Sequence, residues 1–478
     1  MARELELKLV FNPDQAARLQ GLALSEDEGA RQRLVSVYFD TPKHKLRRNG
    51  WVLRVRQAND AVIQTIKRAT NAAGLFDRGE WEAEVSELKP DAEAVAKSPL
   101  RNVIKPRQLR QLEEMCRSDV DRSTQLLERH GGTIELSIDE GLIEARDLSE
   151  PVHEIELELK EGDVGFLLTA ARKMVRKAPL KLGVLSKSER GFALANGKGE
   201  RPAKATPIAL KEEMNVAEGF AAIVDGCLKH LRMNEPLLIA QQDVEALHQL
   251  RVAVRRLRSA LWLFRPAVRD GQYGEFDHEL RRFTRELGAA RNIDVILLSL
   301  PPDDPARGAL EDDRRRLYAK IIGKLESRAF RLFVFDLFAW AHIGTWRNGK
   351  KAGAALMPFF LKRLDRLWQR IERREDGLHQ RSDDERHKLR IDTKKMRYAL
   401  EFAKVPLSTV GDDWKIFADA AEGVQDSLGN LNDLAARRQL LFWSAEATGK
   451  VRSLQLRAAK RHLNKMKEVG PFWRAARA

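Results

Sequence analysis

Two cysteines in 478 residues, Cys116 and Cys227, stand far apart and without His or Cys partners at metal-ligand spacing, which excludes a disulfide framework and a zinc knuckle. No run of ~18 uncharged apolar residues occurs and no charged start leads into an apolar stretch, so no membrane partner is expected and the expected location is cytoplasmic. Aromatics are scarce, at 7%. The basic runs lack the interleaved Phe, Tyr and Trp that stack on bases, which counts against a nucleic-acid partner. Trp262, Phe264 and Trp368, close to basic runs, fall on helical apolar positions and are expected in the core.

Charge is abundant, at 32% of residues with a formal net charge of +15, but it is unevenly placed. Residues 1–200 hold 33 of the 85 Lys and Arg and 33 of the 70 Asp and Glu, so the whole excess lies beyond residue 200. A basic surplus confined to one region points to a polyanionic partner there and leaves the neutral part to be explained separately. The length allows two or three domains with substantial cores.

The stretch NGKGERPAKATP, residues 196–207, interrupts any regular element with two glycines and two prolines. Before it, eight short alternating segments read as strands: ELELKLVF, LVSVYFD, WVLRVRQ, AVIQTIKR, RGEWEAEV, TIELSIDEG, LIEARDL and HEIELELK. Helices are expected at 107–116 and 163–176. After it the period turns helical, with amphipathic runs at 244–265, 274–287, 313–333, 355–373, 384–404 and 412–428. The expected organisation is an α+β domain over 1–200, a linker over 201–212 and an all-helical domain over 213–478, the last built of two repeats, about 213–345 and 346–478. The repeat is read from His248 with Arg251, Arg255, Arg256 and Arg258, matched at the same offsets by His387 with Arg390, Lys394, Lys395 and Arg397. LGAARNIDV and LGNLNDL follow the two histidines at similar distances.

In the strands, charge and apolar side chains alternate. Glu4, Glu6 and Lys8 share one face; so do Arg54 and Arg56, then Arg78, Glu80, Glu82 and Glu84, then Glu154, Glu156, Glu158 and Lys160. A single such strand reads as an amphipathic sheet with its charged face in solvent. Acidic strands at both ends of the region and basic strands in its middle argue instead for a closed sheet with charges pointing inward, internally paired or filled by a ligand of several negative charges with divalent cations.

Residues 1 to about 195 resemble the CYTH domain, the triphosphate tunnel metalloenzymes. The resemblance rests on ExExK at Glu4, Glu6 and Lys8, with YFDTP at 38–42, LRVR at 53–56, TIK at 65–67, RGEWE at 78–82, ELELK at 156–160 and SKSERG at 186–191. It implies an eight-stranded antiparallel tunnel with acidic and basic walls. Glu4, Glu6, Glu156 and Glu158 would hold Mg²⁺ or Mn²⁺, with Glu4, Glu6 and Lys8 as the catalytic set. Lys8, Arg54, Arg56, Lys67, Arg78, Lys187 and Arg190 would hold the triphosphate, and Glu80 and Glu82 would line the tunnel. Glu154 shares the metal face, Arg122 and Lys181 are further candidate phosphate contacts, and Asp139 is open between a turn and a metal-site residue.

In the helical half, His248, Arg251, Arg255 and Arg258 span about 80° of a helix at 100° per residue, and His387, Arg390, Lys394 and Arg397 repeat the stripe. Like charges at these spacings repel, and no acid recurs that would make the histidines catalytic, so a phosphate-binding face accounts for the duplication better than a solvated one or a metal site. These motifs resemble the CHAD domain, the conserved-histidine α-helical domain, over about 210–478. The resemblance implies a helical bundle with internal two-fold pseudosymmetry that binds inorganic polyphosphate through His248, Arg251, Arg255, Arg256, Arg258 and the matching His387, Arg390, Lys394, Lys395 and Arg397. It also makes polyphosphate granules a further expected location. Asn292, Asp294, Asn432 and Asp433 are expected to cap helices or position the basic side chains. Together these readings give a metal-dependent inorganic triphosphatase, cleaving tripolyphosphate to diphosphate and phosphate, with a polyphosphate-binding module. The alternatives are a thiamine triphosphatase, a class IV adenylyl cyclase, or a non-catalytic polyphosphate-binding protein.

Overall fold

The computed structural model describes residues 2–13, 30–68, 74–197, 201–407, 411–441 and 445–477, and no side chain at 2–4, 76–78, 432–448 or 476–477. Eight strands, β1 (Ala2–Val10), β2 (Ala30–Asp40), β3 (Trp51–Ala58), β4 (Ala61–Arg68), β5 (Leu75–Glu84), β6 (Glu113–Arg129), β7 (Gly132–Ala145) and β8 (Leu148–Glu161), pair antiparallel in the order β1-β5-β4-β3-β2-β6-β7-β8. The sheet closes because β1 pairs with both its ends, with β5 from Ala2 to Leu7 and with β8 from Glu6 to Val10. A two-residue strand, β9 (Lys181–Leu182), takes the edge of β1 at Leu9 and Val10, which β5 leaves free.

Closure explains the alternation. Leu7 and Leu9 of β1, Leu53 and Val55 of β3, and Ile155 and Leu157 of β8 are fully buried on the outer face. The charged residues between them therefore point into the barrel, and both faces leave solvent. The outer apolar face is covered by short helices α1 (Lys45–Arg48) and α2 (Ala92–Ala96) on one side, and by α4 (Val164–Lys177), through Leu167, Leu168, Ala171 and Val175, on the other.

Two strand expectations are corrected. The segment 133–141 and most of 142–148 form one continuous strand, β7, which ends at Ala145 before a turn at 146–147. The count of eight is made up by β6, where a helix was expected at 107–116; that stretch holds only the turn α3 (Pro106–Leu109) before the chain becomes extended. Charges on both faces of β6 mask its period of two, while its pairing with β2 on one side and β7 on the other satisfies its backbone.

Beyond α5 (Lys187–Ala195) the chain is helical: α6 (Val216–Gln241), α7 (Val244–Val268), α8 (Tyr273–Ser299), α9 (Arg307–Glu326), α10 (Arg328–Ile343), α11 (Leu356–Glu375), α12 (Asp383–Phe402), α13 (Lys404–Leu407), α14 (Asp413–Leu441) and α15 (Ala445–Val469). The run expected at 313–333 is broken at Ser327, which is extended and whose hydroxyl accepts the amide of Phe330, 3.1 Å, to start α10. Among the described residues no helix is long and apolar enough to cross a membrane.

Two compact units result. The first takes residues 1–205, 225–253 and 282–343; in it α10 packs on α4, with Arg172 forked onto Asp336 at 2.5 and 2.8 Å. The second takes 206–224, 254–281 and 344–478, around an aromatic core in which Phe264 meets Phe220 and Phe360, and Phe417 meets Trp368 and Trp473.

The buried Asp40 of the YFDTP motif is a structural residue. Its carboxylate accepts the amides of Thr41 at 2.7 Å, Leu46 at 2.8 Å and Arg47 at 3.0 Å, closing the turn into α1. Asp40→Ala strands two buried donors and a part-buried one and is expected to cost about 3 kcal/mol, with Asp40→Asn between it and the parent chain, read from urea unfolding midpoints.

Candidate functional site

Register brings the inward charges of β1, β7 and β8 to one level of the barrel: Lys8 lies opposite Glu156, Val10 opposite Glu154, and Glu154 opposite Asp139. Carboxylate oxygens of Asp139, Glu154 and Glu156 come within 4.8 Å of one another. Three acids so close, two of them buried and Glu156 half-buried, hold together only if cations offset their repulsion. Lys8 Nζ sits 2.6 Å from Glu154 and 2.7 Å from Glu156. Lys187 Nζ, from the first turn of α5, sits 2.6 Å from Asp139, 2.9 Å from Glu154 and 2.8 Å from Glu156. Arg122 forks onto Asp139 with two bonds of 2.6 Å and also reaches Glu156, while Arg190 reaches Glu154 at 2.9 Å. Lys8 is 2% exposed, and Asp139 and Glu154 are 0% exposed.

Burial alone would push these acids up, but Lys187 and Lys8 outweigh it and hold the Glu154 carboxyl down at about 2. Glu156 lies well below its ordinary value for the same reason, with Arg122 adding to the effect. Asp139 is lowered by Lys187 and Arg122 against its own burial. Conversely, Lys187 is raised despite burial, by Asp139, Glu154 and Glu156, and Lys8 by Glu154 and Glu156.

Opposite this cluster, across a cleft of about 80 Å³, stand Arg54, Arg56 and Lys67. Among the described residues Arg54 and Arg56 form no ion pair: Arg54 donates to Thr65 at 3.0 Å and Arg56 to Ser36 at 2.9 Å. Burial, with Arg54 and Arg122 close by, lowers the Arg56 guanidinium to about 10. Lys67 pairs with Glu80, and Glu82, exposed, accepts from Thr65 at 3.1 Å.

Of the residues expected to hold metal, the structure brings only some together. Glu156 is in the carboxylate cluster, and Glu6 lines the cleft with its Oε1 3.9 Å from Lys8 Nζ. Glu158 instead pairs with Lys160 at 2.8 Å, where both are partly exposed. Asp139 is no turn residue; it lies in the middle of β7, and it and Glu154 join the cluster. The side chains of Glu4 and Arg78 lie outside the described residues. Lys181 points away from the cleft, onto Glu235 at 2.5 Å. The bidentate Arg122–Asp139 pair is the feature that sequence spacing did not single out, because the two meet only through β6–β7 pairing.

In the second unit a cavity of about 350 Å³ is lined by Arg255, Arg258 and Arg265 of α7, Arg281 of α8, and Lys394 and Lys395 of α12, against the single carboxylate of Asp277. Burial first, then Arg255, Arg390 and Arg258, lower the Lys394 ammonium to about 7; burial and the arginines of α11 lower Lys395 to about 8. Trp262, expected in the core, lines this cavity, with Lys395 4.2 Å and Arg363 4.7 Å from its ring, whereas Phe264 and Trp368 are buried as expected. Arg256 stands apart from the other basic residues of its motif: it is 1% exposed, 2.8 Å from Glu401, and lies about a quarter turn or more from the stripe of Arg251, Arg255 and Arg258. Arg397 bonds Gln425 at 3.2 Å, and His387 is exposed.

The duplication carries through to geometry. A Cβ on Gly288 would come 3.9 Å from the Arg251 guanidinium, and one on Gly429 3.4 Å from that of Arg390, so the glycine of each LG motif runs beside the matching arginine. In the first unit His248 is half-buried on α7. Asp294, toward the C-terminal end of α8, accepts from Arg314 and Tyr318, both at 2.8 Å, so of its two expected roles it holds a basic side chain, and it braces α8 against α9. Asn292 is exposed within α8, and the side chains of Asn432 and Asp433 lie outside the described residues.

The family model of the CYTH domain matches residues 2–192 and that of the CHAD domain residues 222–441. An inorganic triphosphatase of Haemophilus influenzae is 30% identical over 203 residues, 41% of this chain and 56% of that protein, so the chain spans about half the length of that relative. An uncharacterized protein of Mycobacterium tuberculosis is 25% identical over 93% of this chain and 90% of its own. The crystal structure of a CHAD domain from the plant Ricinus communis is 27% identical, covering 57% of this chain and 97% of its own with a TM-score of 0.43.

The depressed acids set an acid limit. In the unfolded chain Asp139, Glu154 and Glu156 take up protons near 3.8 to 4.5, and in the folded chain only below that. Their contribution is complete above about pH 5 and is lost as pH falls from about 4.5 toward 2. Thermal melts from pH 7 to 2.5 should show a plateau followed by a fall. Asp139→Asn should melt lower at pH 7 and fall less steeply, and a parent curve flat down to pH 3 would contradict the pairing.

Proposed function

The chain joins a CYTH domain to a CHAD domain, and from that premise we propose that it is a divalent-metal-dependent inorganic triphosphatase whose helical region binds inorganic polyphosphate. The observation that carries the reading is the pair of inward arginines, Arg54 and Arg56, which among the described residues form no ion pair and face a largely buried carboxylate cluster across a narrow cleft. Inward guanidinium groups facing a carboxylate cluster suit a polyanion bound together with divalent cations, and a triphosphate is one. The Haemophilus influenzae relative, named an inorganic triphosphatase, supports the same substrate.

The donor set fits Mg²⁺ or Mn²⁺, since Asp139, Glu154 and Glu156 offer clustered carboxylate oxygens, the ligands that hard divalent ions take. When bound, such an ion neutralises phosphate charge and acidifies an attacking water. The chain's own residues do the rest. Arg54, Arg56 and Lys67 grip phosphate oxygens from the basic wall, and Lys8, Lys187 and Arg122, at the edge of the cleft, can turn from carboxylate to phosphate. Hydrolysis joins the water oxygen to the terminal phosphorus, the water giving up a proton to solvent, and breaks the bond from that phosphorus to the bridging oxygen. That oxygen leaves on diphosphate with the electron pair, where the arginines stabilise the developing charge.

In the helical region, Arg255, Arg258, Arg265, Arg281, Lys394 and Lys395 form a second anion site, for polyphosphate. Arg256, tied to Glu401, belongs to the frame of that region.

Phosphate release from tripolyphosphate, thiamine triphosphate, ATP and long polyphosphate, each with Mg²⁺, Mn²⁺ or chelator, tests the reading. Tripolyphosphate with metal is the expected best substrate, chelator should stop release, and Arg56→Ala should lower kcat/KM by about 10²–10³. Preference for an organic triphosphate would shift the reading to thiamine triphosphatase or adenylyl cyclase chemistry. Release from none of them would leave a binding protein.

Polyphosphate entering the cationic cavity should restore the charge of Lys394 and Lys395, which sit at about 7 and about 8 without it. Binding at pH 8 should therefore take up between one and two protons, most of it at Lys394, seen as a buffer-dependent calorimetric heat that Lys394→Met diminishes.

A further inference from the structure

Lys8 and Lys187 meet at the carboxylates because of one short segment. β9 pairs with β1, and the amide of Gly183 donates to Lys8 O at 2.9 Å. A Cβ on Gly183 would fall 2.7 Å from Lys8 Cγ, so only glycine lets the chain pass this close. Four residues on, α5 starts at Lys187, with Ser186, Lys187 and Ser188 lining the cleft. At nine residues α5 is too short to be stable alone, so its direction depends on what its first turn is bonded to.

Part of that grip comes from far along the chain. Within the first compact unit, three residues of α6 at spacing three lie within about 120° of its circumference and reach the segment at three points. Lys229 Nζ donates to Glu189 Oε1 at 2.6 Å, Arg232 Nε to Leu182 O at 3.1 Å, and Glu235, buried, accepts from Lys181 at 2.5 Å while pairing with Arg232. Glu189 is the bridge. Its other oxygen accepts the Ser186 amide at 2.9 Å and hydroxyl at 3.0 Å, forming the capping box that opens α5. One carboxylate thus shapes the turn that presents Lys187 and is itself held by a lysine of the helical region.

We infer that Lys229 is a positioning residue for the phosphate site: through Glu189 it fixes the first turn of α5, and with it Lys187 and Arg190. The helical region thereby supplies part of the frame of the barrel's site. The kinetic consequence rests on the triphosphatase reading; the mechanical one does not. Losing the hold should let α5 sample other orientations, so that the interactions of Lys187 and Arg190 with phosphate weaken equally in ground and transition states.

The test compares the full chain with Lys229→Met and Lys229→Arg. Amide hydrogen exchange over residues 181–195 and tripolyphosphate kinetics with Mg²⁺ are the two readouts. Lys229→Met should speed exchange at 186–190 and raise KM about tenfold with kcat within about twofold, and Lys229→Arg, which can still donate to Glu189, should restore both. Unchanged exchange with unchanged KM overturns the inference. So does a fall in kcat that tracks the folded fraction at constant KM, since that reports stability alone. If the parent chain releases no phosphate from tripolyphosphate, the proposed function fails, and the exchange comparison still decides for or against the hold on α5.

Discussion

Five charges at one level of the barrel, the buried Lys8, Lys187, Asp139 and Glu154 with the half-buried Glu156, are the constraint on which the first unit depends. None of them could be buried alone, because desolvating a single charge costs several kcal/mol that only close opposite charge offsets. Each therefore fixes the others. β1 must bring Lys8 opposite Glu156, β7 must bring Asp139 opposite Glu154, and α5 must end its approach with Lys187 between them. The closed sheet makes this possible, since it gives the strands an inner face that is neither solvent nor apolar core.

The same arrangement is suited to exchange. In the proposed reading, the ammonium of Lys187 among three carboxylates would give way to a divalent ion, and Arg54 and Arg56, which form no ion pair among the described residues, would take a phosphate. A metal and a polyanion entering together would let every cation and every acid keep a partner of opposite sign, which neither could do alone. Segment 181–190, which carries Lys187, is held in turn by α6, so the frame of the site extends into residues that sequence order assigns to another region.

Legibility from sequence varied by feature, for physical reasons. The strands with one apolar and one charged face were readable because alternation follows directly from backbone geometry. β6 was not, because residues such as Arg117, Asp119, Asp121 and Arg122 put charge on both of its faces. The basic stripes were readable from helical spacing, which also sets Arg256 apart from its neighbours. Trp262 was misplaced since an aromatic at a helical apolar position looks the same whether it meets other aromatics or the ammonium of Lys395.

By itself, the sequence determined the classes of element, the sorting of acidic and basic strands, the surplus of positive charge in the helical region and the duplication of its motifs. All of these depend only on residue type and on spacing along one chain segment. The tertiary structure alone decided which acid meets which base: Asp139 with Arg122 rather than in a turn, Glu158 with Lys160 rather than in the cluster, Glu189 with Lys229 across 40 residues. Such pairings depend on strand register and helix packing, and a shift of one residue in register would turn every inward charge outward.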